Sequence, residues 1–423
     1  MKREGGHAHS SVVHAARGSA FVLGAAFGAA ILFASPAIAG THGRRPSAPG
    51  APSRTRVAPQ GVSAKSVRAL ATLSVTSTAD SGAGSLRDVV AAAAPGDTVT
   101  FAVTGTIALT SGEITIPVDL AITGPGASQL AIDGGGSSSL FYVPADVTVS
   151  ISGLALTGGY AAEGDGGAIY NDGTLTVDNC RLTGNTADFY GGAILNNGTL
   201  TITSSSLTGN TATEDYGGAI EDYGTLTIRN STLSDNIAGS DGGAMSLDGG
   251  EATLVNVTFA HNSSGGIGGA IWGNDTPAIV HNTLVAENTD AGGAPDWHGV
   301  MDSLGHNLIG DTSDGEGEVT INGVTTGNLL NVTAGIAAIA LNGAQTYTNA
   351  LLPASIAIDA GDPAAGLSTD QRGVARLGAP DIGAYEAAEF GSRTIPALGS
   401  LGLALLGVLV AAAGAFAVRR AVA

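Results

Sequence analysis

Carboxylates that recur beside paired glycines are the residues of this sequence with the clearest capacity for chemistry. They lie just before the pairs (Asp165, Asp215, Asp241) or just after them (Asp172, Asp222, Asp248). Such groups ligate calcium, and paired carboxylates hydrolyse glycosidic bonds. Since an active site needs one distinctive constellation and these acids recur in successive repeats, turn formation explains them best. Calcium binding and catalysis remain as alternatives.

Two arginines are the only candidates for a cationic catalytic group in the central part of the chain. Lyases that cleave acidic polysaccharides combine calcium-binding carboxylates with a lysine or arginine base. Between residues 88 and 371 the only lysine or arginine side chains are Arg181 and Arg229. They fall two repeats apart near matching bends and are expected to share a face, with simple surface exposure as the plainer explanation. We assign no catalytic residue.

The segment from Asp296 to Gly310 interrupts the repeat and contains Trp297, His298 and His306. A break in a regular pattern is where a binding function is often placed. We expect Trp297 to pack on the last regular coil. The alternative is a carbohydrate platform, with Trp297 and His298 as its binding residues.

A repeat of about 25 residues must position all of these groups. Gly-Gly-Ala-Ile or a close variant has its first glycine at Gly166, Gly191, Gly217, Gly242 and Gly268, at intervals of 25, 26, 25 and 26 residues. Between these motifs apolar residues alternate with threonine, which is the period of a β-strand. One repeat fits three short strands and three bends, and it buries its apolar face only by stacking on its neighbours. The sequence therefore predicts an all-β fold, a single-stranded right-handed parallel β-helix of the pectate-lyase type.

Stacked repeats give the regularly spaced asparagines a structural role. A hydrogen-bonded ladder at one bend is predicted for Asn185, Asn210, Asn236, Asn262 and Asn288. A second, weaker ladder is predicted for Asn179, Ser205, Asn230, Asn256 and Asn282. Ligand binding by either line is the alternative.

Other residues are assigned to the interior and to the first coil. Cys180 is the single cysteine and is expected to fill space inside a coil. Ser85 and Asp88 form the pattern of a helix capping box, followed by an apolar run to Ala94. We expect an N-terminal capping helix there, covering the open edge of the first coil.

The repeat resembles that of polymorphic outer-membrane proteins, which are surface β-helices linked to adhesion. The resemblance spans roughly residues 160 to 290 and rests on the Gly-Gly-Ala-Ile and Phe-x-x-Asn motifs. The segment from Ile358 to Glu386 resembles the closing part of bacterial choice-of-anchor β-helix proteins. Its Arg372 and Arg376 lie among five acids. An ion-pair cap is expected, with a metal or substrate site as the alternative.

Charge excludes one class of partner. Residues 70–394 contain six arginines, no lysine and 35 acids. Such a surface repels nucleic acids and other polyanions and attracts cations. No nucleic-acid partner is expected.

Both ends carry features of export. Residues 1–39 read as a signal peptide that ends at Ala37 and Ala39, and residues 40–69 as a disordered linker. The β-helix is assigned to 70–387 and a linker to 388–394. Residues 395–423 form a C-terminal anchor whose apolar run, Leu401 to Val418, predicts a transmembrane helix before two arginines. Ile395 and Pro396 begin a segment that resembles Ile-Pro-Thr-Leu sorting signals, which implies exosortase processing; a plain membrane tail is the alternative.

Together these features predict an exported monomer in the cell envelope or on the surface of a Gram-negative bacterium, with release after processing of its tail as the alternative. The predicted role is non-enzymatic adhesion or structure, with an unidentified glycan or protein partner. No cofactor is expected other than possible calcium. The alternative is a polysaccharide lyase or hydrolase that uses carboxylates on the β-helix face.

Overall fold

The computed structural model describes residues 69–273, 277–314 and 319–388. Within them the chain winds through parallel strands that stack coil upon coil, so that equivalent strands of successive coils form long sheets. We name four of these sheets A to D.

Sheet A is the longest of the four. Its strands, in stacking order, are Thr72–Val75, Asp97–Phe101, Leu120–Thr123, Thr148–Ser152, Thr174–Asp178, Thr199–Thr203, Thr225–Arg229, Glu251–Val255, Ala278–His281, Val300–Leu304 and Thr320–Val324.

Sheet B follows sheet A along each coil. Its strands are Gly105–Ala108, Leu130–Asp133, Ala155–Thr157, Arg181–Thr183, Ser206–Thr208, Thr232–Ser234, Thr258–Ala260, Leu284–Ala286, Leu308–Ile309 and Leu329–Leu330.

Sheets C and D complete the coil. Sheet C contains Ile114–Thr115, Phe141–Val143, Ile169–Asn171, Ile194–Asn196, Ile220–Asp222, Met245–Leu247, Ile271–Gly273 and Trp297–His298. Sheet D lies between B and C in chain order and contains Tyr160–Ala161, Thr186–Ala187, Thr211–Ala212, Ile237–Ala238 and Ser263–Ser264.

The parallel β-helix predicted from the repeat is confirmed, but three strands per coil is too few. In the regular coils a fourth strand of two residues follows the asparagine bend. Strands this short leave almost no alternation in the sequence, which explains why the pattern did not reveal sheet D.

The alternation within sheet A places one line of apolar side chains inside the coils. Leu175 pairs with Leu200, which pairs with Leu226, and all three are fully buried. Like side chains therefore stack over one another and form one continuous core that no single coil could close.

The glycine pairs lie in one column. Gly192 donates its N–H to the carbonyl of Gly217 at 3.1 Å, and Gly218 donates to Gly242 at 3.1 Å. The first glycine of each pair has a positive φ between 62° and 68°. The second approaches the next coil so closely that a Cβ on Gly218 would lie 2.1 Å from the carbonyl oxygen of Gly243. The first position needs glycine for its backbone angle, and the second needs it for space.

A helix spans Leu86–Ala92, and the Ser85 hydroxyl accepts from the Asp88 N–H at 3.2 Å. The Asp88 carboxylate accepts from the Gly82 N–H instead of returning to Ser85, so only half of the capping box forms. Leu86 and Val90 are buried against the core beside the first strand of sheet A.

The parallel coils end at Leu330, so the predicted β-helix of 70–387 includes a different final part. An antiparallel pair, Ile336–Ala340 and Thr348–Leu351, comes first. A short 3-10 helix, Pro363–Ala365, follows within irregular chain. Residues 341–387, which we call the return segment, run back along the outer face of sheet B. Tyr347 N–H donates to the Ser206 hydroxyl at 3.2 Å, and Ala384 N–H donates to the Thr258 hydroxyl at 2.9 Å.

The ion pairs predicted near the C-terminus hold the return segment in shape. Arg372 pairs with Asp370 at 2.6 Å, and Arg376 pairs with Glu386 at 3.2 Å. Arg376 also donates to the Gly383 carbonyl at 2.7 Å. The return segment lies beside the coils and does not cover their end. The prediction of an ion-pair cap at the end of the coils is therefore wrong in its location.

The second predicted ladder does not form. In the second position of the predicted line, the residue with a left-handed backbone is Ser204 and not Ser205. Asn230, Asn256 and Asn282 donate their amides to carbonyls of the return segment, at 2.8, 3.4 and 2.9 Å. These side chains bind the return segment and do not bond to one another.

The predicted signal peptide, linkers and anchor lie outside the described residues, as do Ala37, Ala39, Ile395, Pro396 and the run from Leu401 to Val418. Within the described part of the chain, no helix has the length and apolar character needed to cross a membrane. Cys180 is fully buried in the core, where burial raises the pKa of its thiol to about 12.

Candidate functional site

The first asparagine line forms one buried column at the bend between sheets B and D. Each side-chain amide donates to the next one, with Nδ2 to Oδ1 distances of 2.9 Å from Asn185 through to Asn288. The last amide, that of Asn288, donates to Asp296 at 2.8 Å. Every amide also donates to a carbonyl of the preceding coil, so the column has no capacity left for a ligand.

The predicted calcium ligands do not converge. Asp222 points inward and accepts from the Asn196 amide at 2.5 Å. Asp165 and Asp241 accept backbone N–H groups of the next coil, from Tyr190 and Ile267. No group of three or more His, Cys, Asp or Glu side chains suited to a metal occurs in residues 69–273, 277–314 and 319–388.

Trp297 cannot act as a sugar platform. Its side chain is 1% exposed and belongs to the hydrophobic core, so the carbohydrate-binding prediction for this residue is wrong. The apolar ring points inward because its strand continues the inward column of Ile271. His298 is partly exposed beside it on the outer side of sheet C, where it pairs in register with Trp272.

The two central arginines do not share a face. Arg181 begins a strand of sheet B, and its guanidinium lies 5.2 Å from the ring centre of Tyr347 in the return segment. Arg229 ends a strand of sheet A. Neither lies on a strand of sheet C, where the exposed carboxylates and aromatic rings gather.

The outer side of sheet C carries a cluster of aromatic side chains. Five of the eight tyrosines lie on or directly beside its strands, and of the two tryptophans on those strands only Trp272 is on the outer side. We call this surface the sheet C face, and its aromatic residues are Tyr142, Tyr170, Tyr190, Tyr216, Tyr223 and Trp272.

The rings of the sheet C face contact one another across coils. Tyr190 and Tyr216 stack with ring centres 5.9 Å apart, and Tyr216 stacks on Trp272 at 5.6 Å with planes only 11° apart. Tyr223 meets Tyr190 edge to face at 6.5 Å. The stacked contacts fix the ring orientations of Tyr190, Tyr216 and Trp272 before any partner arrives.

Glu221 lies in the middle of this aromatic surface. It occupies the outward position of its strand, in register with Leu195 on one side and Ser246 on the other. Despite pointing outward it is 0% exposed. The hydroxyls of Ser246 and Tyr223 are close, yet neither carboxyl oxygen has a hydrogen-bond partner of normal geometry among the described residues.

The surroundings of Glu221 keep its proton in place. Burial raises its pKa to about 8, and the nearby Asp248 and Asp222 carboxylates add to that shift. Burial likewise raises the pKa of Asp222 to about 6. At neutral pH Glu221 is therefore a neutral acid beneath aromatic rings.

A cavity of about 300 Å³ opens at the upstream end of the same face. It is lined by Tyr142 and Tyr170 together with Glu113, Asp165 and Asp172. Tyr142 donates its hydroxyl to Asp172 at 2.9 Å, and Asn197 donates to the other oxygen of Asp172 at 2.9 Å. The face thus combines aromatic rings with oriented acceptors, which is the composition of a polar-ligand site.

Sequence reasoning did not identify this face. A signal was present in the residue that follows each Gly-Gly-Ala-Ile motif, which is Tyr170, Leu195, Glu221, Ser246 or Trp272 in successive repeats. The side chain at this position differs from repeat to repeat, whereas the Gly-Gly-Ala-Ile residues before it stay nearly the same. The aromatic residues just before the glycine pairs complete the surface only once the coils are stacked.

A match to a family model supports the fold. The family model described as "Right handed beta helix region" matches residues 132–294. The chain folds as a right-handed parallel β-helix. A crystal structure of pectate lyase Pel9A aligns over 76% of this chain and 98% of that chain, with 15% identity and a TM-score of 0.45. None of the curated proteins matches the sequence.

The protonated state of Glu221 makes the stability of the β-helix depend on pH. The folded pKa of about 8 lies above the ordinary value of 4.5, so the folded state holds a proton that the unfolded chain releases. Stability is therefore lost as pH rises from 5 to 8, by about 3 kcal/mol from this one group. Replacing Glu221 with glutamine is expected to flatten that loss in denaturant titrations across the pH range. Equal slopes for the variant and the parent protein would contradict the assignment.

Proposed function

We propose that this protein is an exported surface β-helix that binds a glycan through the sheet C face without cleaving it. The observation that supports this most directly is the stacked array of Tyr190, Tyr216 and Trp272, set among carboxylates on one surface. Sugar rings present C–H groups to aromatic faces and hydroxyl donors to carboxylates, and both kinds of partner are available here.

Charge narrows the class of glycan. The acids on or beside the face include Asp165, Asp172, Asp215 and Asp248, and no lysine or arginine occurs on any strand of sheet C. An anionic uronate polymer would be repelled by such a surface. A neutral or amine-bearing glycan fits it.

The same charge pattern favours binding over lyase chemistry. The lysine or arginine that would abstract the proton beside a uronate carboxylate is missing from the strands of sheet C, since Arg181 and Arg229 lie on other sheets. Export and surface attachment are proposed from the signal-like N-terminus and the sorting-like C-terminus. We also propose that the helix Leu86–Ala92 covers the first coil, since Leu86 and Val90 pack on it.

Removing the stacked rings tests the binding proposal. The Tyr216→Ala and Trp272→Ala variants are each expected to lose at least tenfold in affinity for a glycan bound by the parent protein, which is ~1.4 kcal/mol. Tyr160→Ala is the matched control, because Tyr160 lies on sheet D away from this array. Calorimetric titration against a panel of neutral, amine-bearing and uronate oligosaccharides gives the measurement, and near-parental melting temperatures exclude misfolding. If no glycan binds, or if only the control weakens binding, the proposal fails.

A further inference from the structure

Glu221 and Ser246 form an unusual pair of buried polar side chains on the sheet C face. They are neighbours in register on adjacent coils, and both are 0% exposed. Oε1 and Oε2 of Glu221 and Oγ of Ser246 make no hydrogen bond of normal geometry among the described residues, although the hydroxyls of Ser246 and Tyr223 lie close to the carboxyl. Buried polar atoms in folded proteins are nearly always well paired, so this poorly satisfied carboxyl and hydroxyl are available to a stronger donor.

Among the residues that the structure describes, no cation contributes to the charge around this pair. Asp222 lies on the same strand, Asp248 follows the strand of the next coil, and the hydroxyl groups of Tyr190, Tyr216 and Tyr223 surround the carboxyl. Asp215 adds a further acid beside Tyr216. Every titratable neighbour is therefore an acid or a phenol, and a positively charged donor would be stabilised at this point.

We propose that Glu221 and Ser246 form a subsite for the free amino group of a hexosamine within the glycan bound by the sheet C face. The inference rests on the proposed glycan binding and specifies its chemistry. An ammonium group carries three donors, which matches the three poorly satisfied oxygen atoms. The neighbouring rings of Tyr216 and Trp272 receive the apolar side of the sugar.

Access to the subsite requires only a side-chain movement. Tyr223 is 38% exposed and its hydroxyl lies close to the Glu221 carboxyl, so we expect its rotation to open the carboxyl to the surface. Exposed side chains change rotamer in picoseconds to nanoseconds. A metal ion is a poorer occupant, because calcium requires six or more oxygen ligands and no suitable cluster occurs among the described residues.

Binding of an ammonium group releases a proton from the protein, whereas binding of a sugar hydroxyl does not. The empty subsite holds Glu221 as a neutral acid, whereas a bound ammonium ion favours the carboxylate. The carboxyl proton therefore passes to the buffer as the ion pair forms. A sugar hydroxyl would leave that proton in place.

The test compares three hexamers that differ at one position of each sugar: glucosamine hexamer, N-acetylglucosamine hexamer and cellohexaose. Each is titrated calorimetrically at pH 6 into the full chain, in two buffers of different ionisation enthalpy. We expect the glucosamine hexamer to bind at least tenfold more tightly than the other two, with release of about one proton. Glu221→Gln is expected to abolish the release and the preference. Asp235→Asn is the matched control and is expected to keep both, because Asp235 is exposed and follows the strand Thr232–Ser234 of sheet B.

The outcomes separate this inference from the broader proposal. Equal affinity for all three hexamers without proton release would overturn the amino-group subsite and leave glycan binding intact. Absence of binding by all three, together with failure of every other glycan, would overturn both. Proton release is measured on the parent protein, so the inference is tested even if the Glu221 variant does not fold.

Discussion

Replacement of Asn236 by leucine is expected to lower the free energy of unfolding by about 4 kcal/mol. The side chain of Asn236 donates to the Leu207 carbonyl and to Asn262, and accepts from the backbone and side-chain amides of Asn210. Leucine has a similar size but removes all four of these hydrogen bonds. The buried N–H of Asn210 and the carbonyl of Leu207 lose this partner, whereas Asn262 Oδ1 and the Asn210 amide each keep one other bond. Each unpaired buried group costs about 1 to 3 kcal/mol, so the effect exceeds that of a lost surface contact.

Denaturant titration followed by tryptophan fluorescence and circular dichroism measures this loss. Asn197→Ala is the matched control, since Asn197 is an exposed asparagine and its change is expected to stay within about 0.5 kcal/mol. Asn236→Asp retains the acceptor but loses the donor and should fall between the two. A loss below 1 kcal/mol for the leucine variant would show that the ladder does not stabilise the coils.

Substitution of Gly218 by alanine is expected to cost about 3 kcal/mol through steric conflict. The added methyl group would lie 2.1 Å from the Gly243 carbonyl oxygen and 2.6 Å from the Ile237 carbonyl carbon. Both obstacles are backbone atoms of the next coil, which cannot move without breaking the hydrogen bonds between coils. The coils on either side would have to separate locally.

Gly209→Ala distinguishes this steric effect from backbone strain. Gly209 has a φ of 62°, and nothing lies within 4 Å of its added Cβ, so only the left-handed conformation is penalised, by about 1 kcal/mol. Melting temperatures and denaturation midpoints of the two variants give the comparison. If both variants lose equal stability, close approach between coils is not what requires glycine at position 218.

The periodic part of the fold was predictable because the same residue type occupies the same structural position in each coil. Asn185 and its equivalents fill the same bend in each coil, and Leu175 and its equivalents fill the same interior position. Trp297 was harder to place, because a lone aromatic residue in an irregular stretch gives no indication of whether it points inward.

Features that depend on contacts between distant parts of the chain could not be derived from the repeat. Asn230, Asn256 and Asn282 have the spacing of a ladder, yet their partners lie 80 to 139 residues later in sequence. Glu221 also differs in type from the residues that stack with it in the neighbouring coils. The environment of its side chain depends on aromatic rings from three coils. No local pattern in the sequence reports the burial of its carboxyl group.

The return segment changes how the β-helix can come apart. In a solenoid where each coil contacts only its neighbours, terminal coils can detach one by one. Here Gln345 bonds to Ser128, Tyr347 to Ser206 and Asp362 to Asn282, so one strap of chain joins coils that are far apart along the axis. The coils between Ser128 and Asn282 can separate only after the return segment detaches, which couples the unfolding of one coil to that of the others.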